Sequence, residues 1–158
     1  MKMKQFAKNV VYAEKFTGTY SPRTCSMKIK DGNTPTVMCT DSYAFSTDPE
    51  KLTSYKFSKE GIERIRELMN NAKYLFNEAP LEENRYVVLD GQKEEYFFRS
   101  GDKEAYIKED NFSSVYSEMP RDTKAGEILS IVDSIHEILK EYGIDPDEED
   151  EEPDDEDE

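Results

Sequence analysis

From Asp145 to Glu158 the chain holds twelve acidic residues, two prolines and nothing else. A run with no apolar side chain cannot offset the entropy lost on ordering, so it is expected to stay disordered and be stretched by its own repulsion. Just before it, a helical apolar pattern gives way to Gly143-Ile144-Asp145-Pro146. Glycine at C′, an apolar residue at C″ and then proline is a helix stop of the Schellman type. The 158 residues therefore divide into one domain, 1–144, and a disordered polyacidic tail, 145–158. The tail carries twelve of the negative charges behind the formal net charge of −15, leaving the body near −3.

The body is itself polarised. Residues 1–30 contain seven basic side chains against Glu14 alone, whereas residues 31–144 contain fourteen basic and twenty-three acidic ones. One reading is that N-terminal lysines blunt a sheet edge against pairing with other chains. The other is a basic binding surface, or an intramolecular dock for the tail.

Several classes are disfavoured. No apolar run approaches the ~20 residues of a membrane-spanning helix. Met1 to Phe6 is positive but lacks an apolar stretch behind it, so no secretion signal is read and a cytoplasmic location is expected. One histidine and two cysteines cannot build a His/Cys zinc site. No phosphate-binding glycine loop, nucleophile elbow or calcium loop is present, and no cofactor is expected. His136 reads as a helix-flank residue, and Cys25 and Cys39 as buried free thiols. The chain is not expected to be an enzyme.

A strand is expected within residues 5–20. Alternation over Thr24–Lys30 and Thr36–Phe45, joined by Asp31-Gly32-Asn33, predicts a hairpin. Apolar spacing of three and four from Ile62 to Phe76 predicts a helix over 58–76, with Ser58 as its N-cap. Residues 85–109 read as a three-stranded meander: Arg85–Leu89, Glu94–Ser100 and Lys103–Lys108, with turns at Asp90-Gly91 and Gly101-Asp102. Counting from the second turn sets Arg99 opposite Glu104, Phe98 opposite Ala105, Phe97 opposite Tyr106 and Tyr96 opposite Ile107. A second helix is expected over 124–142.

These elements give an α+β fold: a mainly antiparallel sheet of about five strands, with two amphipathic helices packed on one face. The free face is then open to solvent or to a partner. Phe97 and Tyr106 fall on that face and are the candidate contact residues. In the tail, Asp147, Glu148, Glu149, Asp150, Glu151, Glu152, Asp154 and Asp155 are the candidate contacts. Together they predict a non-catalytic protein-binding module, an inhibitor or modulator that engages a basic, nucleic-acid-binding protein surface through acidic charge. The alternative is a single-stranded nucleic-acid-binding protein that uses the basic, aromatic residues 1–30, with the tail recruiting partners.

Overall fold

The computed structural model of the chain describes residues 6–18, 23–43, 51–83 and 91–145. The polyacidic run beyond Asp145 and the expected strand Arg85–Leu89 lie outside them. The elements run β1 (Val10–Gly18), β2 (Arg23–Lys30), β3 (Thr36–Tyr43), β4 (Lys51–Lys56), α1 (Lys59–Asn70), β5 (Gln92–Ser100), β6 (Lys103–Asp110), α2 (Phe112–Val115) and α3 (Lys124–Glu141). The fold is α+β. Among the described residues its sheet has six antiparallel strands in the order β4-β3-β2-β1-β5-β6, one more than the approximate count from sequence.

The order settles one question of charge. β1 and β2 are interior strands, so Lys15, Lys28 and Lys30 do not protect an edge. The edge-blunting reading is therefore wrong for these three lysines, while Lys2 and Lys4 lie outside the described residues. The register of β5 against β6 matches the sequence expectation at all four predicted pairs. β4, where the sequence offers only scattered aromatics, pairs with β3 through Val37–Tyr55 and Cys39–Thr53.

Side chains alternate across a strand. One set, including Tyr12, Met27, Ile29, Val37, Tyr96, Phe98 and Ile107, joins Ile62, Ile65, Met69, Ile128, Ile135 and Leu139 of the helices in the main core. Both long helices thus cover the same face. A bulge between Val10 and Tyr12 turns Val11 and Tyr12 toward the helices, while Val10 packs on the outer side.

Helix α1 stops at Asn70, six residues short of the expected end. Leu75 is nevertheless fully buried, from a turn rather than a helix. The turn is fixed by Glu127 of α3, which accepts hydrogen bonds from Lys73 N (2.6 Å) and Tyr74 N (2.8 Å). The helical spacing of Ala72, Leu75 and Phe76 therefore reports burial without helix. The short α2 lies in a segment whose sequence reads as irregular.

Helix α3 begins at Thr123, whose Oγ1 accepts from Gly126 N (3.1 Å). It ends in a full Schellman motif: Ile144 N donates to Leu139 O (2.9 Å), Gly143 N donates to Lys140 O (3.0 Å), and Gly143 has φ +80°. A Cβ on Gly126 would collide with the carbonyl oxygen of Pro120. Gly126→Ala should destabilise the protein by ~1–3 kcal/mol in chemical denaturation, because backbone on both sides must move.

Carboxylates, one buried and two half-buried, fasten neighbouring segments. Glu94 is fully buried and accepts from Tyr96 OH (2.7 Å), Ser113 N (2.9 Å), Ser113 Oγ (2.7 Å) and Gln92 Nε2 (3.2 Å). Burial, and then the adjacent Glu94 charge, push the Tyr96 phenol well above its usual range. Glu82 receives Lys124 N (2.7 Å) and Ala125 N (2.9 Å) at the start of α3. Burial pushes its carboxyl upward, but the amides of Ala125, Lys124 and Glu82 itself, with the Lys124 charge, together outweigh this and hold it below its ordinary value of 4.5. Asp41 is likewise lowered, chiefly by the paired hydrogen bonds of Arg23 at 3.0 and 2.8 Å.

A carboxyl depressed in the folded state stabilises it above the unfolded pKa and loses that contribution as pH falls through the folded one. Thermal stability is therefore expected to hold from pH 7 to about 5 and to fall below about pH 4. Glu82→Gln should make that acid limb shallower in a melting series, since it removes one of the protons taken up on unfolding.

Candidate functional site

The face of the sheet away from the helices can be read in rows from the strand register. From β4 to β1 the first row is Lys56, Thr36, Lys30 and Val10, and Arg99 pairs with Glu104 across β5 and β6 on the same face. The second is Ser54, Met38, Lys28, Ala13, Phe97 and Tyr106. The third is Leu52, Thr40, Ser26, Lys15, Glu95 and Lys108. From β3 onward the fourth is Ser42, Thr24, Thr17, Lys93 and Asp110.

This face holds seven cationic and three anionic side chains. The remaining described residues hold eleven cationic and nineteen anionic ones. The excess positive charge of an otherwise acidic body is thus collected on one sheet surface. Lys15, Lys28, Lys56, Lys93 and Lys108 are exposed there and Lys30 is half-buried. Arg99 is already engaged: it donates to Glu104 Oε2 (2.9 Å) and to the carbonyls of Ala7 and Val10.

Between the lysines lies a concavity of about 470 Å³. It is lined by a hydroxyl band, Thr24, Ser26, Thr40 and Ser42, by the charged Lys15, Lys28 and Glu95, and by the rings of Phe6 and Tyr106. Ser26 and Thr40 hydroxyls are hydrogen-bonded across the strands at 2.5 Å. Alternation explains the band: Thr24 and Ser26 of β2 and Thr40 and Ser42 of β3 fall on this side, while Met27, Ile29, Val37 and Cys39 between and beside them face the helices. Leu52, 57% exposed, borders it on β4.

Phe97 and Tyr106 do face this side, but Phe97 is not available for contact. It is fully buried. Phe6 stacks on it with centroids 4.3 Å apart, and the Arg99 guanidinium lies 4.8 Å from its ring centre. By holding the Ala7 and Val10 carbonyls, Arg99 ties down the segment that carries Phe6. Phe6 is thus the half-buried ring that the groove presents, with Lys28 Nζ 5.9 Å above it. Tyr106 is half-buried and donates to Glu95 Oε1 at 2.5 Å. The tail candidates Asp147, Glu148, Glu149, Asp150, Glu151, Glu152, Asp154 and Asp155 lie outside the described residues.

The sequence did not single out Lys93, Lys108, Lys56 or the hydroxyl band. The signal was present as i, i+2 spacing within each strand, but only pairing across strands brings the sets together.

On the helix side, His136 is not a simple flank residue. Its Nε2 lies 2.7 Å from Oε1 of the buried Glu14, which also accepts from Tyr12 OH (2.7 Å). This ties α3 to the central strand, on the face opposite the groove. Cys25 and Cys39 are not joined in a disulfide and are half-buried rather than buried. Burial, and then the nearby Glu14 and Cys25 charges, push the Cys39 thiol up to about 11, which leaves it a poor nucleophile at neutral pH. Among the described residues no group of three or more His, Cys, Asp or Glu could hold a metal ion, and no helix is long and apolar enough to cross a membrane. The sequence matches no family model, and no curated protein resembles it significantly.

Proposed function

We propose that this chain is a non-catalytic binding module whose open sheet face takes single-stranded nucleic acid. The observation that carries this reading is the gathering of six lysines, two of them lining a hydroxyl-bearing groove, on a sheet face that neither long helix covers, in a domain whose other described residues are mostly acidic. An extended phosphate backbone is the anion whose repeated charge fits lysines distributed over such an area, and displacing its counterions supplies the binding free energy. Half-buried Phe6 and Tyr106 offer ring surface at one end, and the Ser and Thr hydroxyls can donate to phosphate or sugar oxygens. The lysines come from β1, β2, β4, β5 and β6, so the surface is wider than the basic N-terminal segment alone.

The test is fluorescence anisotropy of a labelled oligothymidylate, titrated at low salt with the full chain. A second chain carries Asn and Gln in place of the acidic residues from Asp147 to Glu158. Binding that weakens steeply as salt rises supports the reading. No binding by the tail-neutral chain ends it.

A second reading has its own observation. Among the described residues off the open face, acidic side chains outnumber basic ones by nineteen to eleven, and the tail's sequence extends that excess. This supports engagement of a basic protein surface through acidic charge, with long-range attraction acting mainly on encounter rate. A salt-sensitive pull-down of a basic protein that the tail-neutral chain loses would favour it.

A further inference from the structure

We propose that the open lysine face is occupied, in the free protein, by the chain's own residues 147–158, which an incoming nucleic acid must displace. The proposal rests on the reading of that face as the binding surface and adds its regulation.

Charge complementarity is the first argument. Eleven acidic residues lie beyond Asp145, and Lys15, Lys28, Lys30, Lys56, Lys93 and Lys108 stand on one face with no ion pair to another described residue. A polyanion close to such a surface is attracted to the same lysines as phosphate, and by the same physics. Elsewhere the described residues are predominantly acidic and would repel it.

Position is the second argument. Helix α3 lies on the opposite face, but its C-terminus is at a corner next to β4. The Tyr142 ring packs edge-on against Phe57, with centroids 5.1 Å apart, and Phe57 directly follows Lys56. Asp145 is three residues beyond Tyr142. The chain therefore leaves the domain beside the edge strand that carries the first lysine of the face.

Reach is the third. Thirteen residues follow Asp145. At ~3.3–3.6 Å per residue they can extend about 43–47 Å. Six strands at ~4.8 Å spacing make the face about 24 Å across. The tail is thus long enough to turn the β4 edge and still span every strand. Because it is tethered, its effective concentration at the face is in the mM range, enough to compete with a nonspecific polyanion.

The test uses the full chain and the tail-neutral chain together. Zero-length carbodiimide cross-linking, read by mass spectrometry, is expected to join tail carboxylates to Lys15, Lys28, Lys56, Lys93 or Lys108 within one monomer. Excess oligothymidylate should suppress those links. In anisotropy titrations the tail-neutral chain should bind the oligonucleotide on the order of tenfold more tightly at low salt, with the difference closing as salt rises. Absence of monomeric tail-to-face links, links only between two copies, or equal affinities of the two chains would each overturn the proposal. Loss of oligonucleotide binding in the tail-neutral chain would instead remove the functional reading, and the cross-links alone would then decide whether the tail docks.

Discussion

Reversing Lys15, Lys93 and Lys108 to glutamate together is expected to abolish most oligonucleotide binding while leaving the fold intact. All three side chains are exposed on the outer face, on β1, β5 and β6, so none contributes to the core. Each phosphate contact on a single strand contributes ~0.7 to the slope of log K against log salt. Losing three contacts should lower that slope by about 2 and, at ~50 mM salt, weaken binding on the order of 10²–10³-fold. Added repulsion from the glutamates pushes the loss further. Reversal of Lys73 and Lys140, which lie outside the sheet, should have little effect and serves as the control. A reversed triple variant that binds with unchanged affinity and slope would show that the open face is not the interface.

The second large effect concerns stability. Glu94→Ala should cost ~3–5 kcal/mol and lower the melting temperature by roughly 10–15 °C. The carboxylate is fully buried and receives four hydrogen bonds, from Tyr96, from Gln92 and twice from Ser113. Removing it leaves the buried Tyr96 hydroxyl and the Ser113 amide without an acceptor, and frees α2 from β5. A buried donor left unpaired costs ~1–3 kcal/mol, more than the bond contributed when made. Glu94→Gln keeps one acceptor oxygen and should lose only part of that stability. Near-UV circular dichroism should register the change around Tyr96 in both variants, which separates this effect from one on the surface.

The hairpin of β2 and β3 and the pairing of β5 with β6 were legible because turn residues fix the count and alternation fixes the face. The caps of both long helices were equally legible. Ser58 accepts Gly61 N at 2.9 Å, and Gly143 adopts the left-handed conformation expected of it. The end of α1 was not, because Leu75 has helical spacing but is buried through a loop held by Glu127. Phe97 was assigned correctly to the outer face, yet its burial depends on Phe6, ninety-one positions earlier in the chain. Glu94 and Glu14 look like ordinary members of an acidic chain. Only the partners brought to them by Ser113, Tyr96 and His136 make them structural.

By itself the sequence determined local geometry at particular places: the β2–β3 hairpin, the register of β5 against β6, the Ser58 cap of α1 and the Gly143 stop of α3. Those features depend on neighbours a few residues apart, and periodicity and capping chemistry record them directly. Only the tertiary structure decided that β1 is central and that β4 closes the sheet beside the C-terminus of α3. It also decided that lysines from five strands share one surface. Strand order is set by long-range packing against the helices, and no residue carries a local signature of which distant strand will lie beside it.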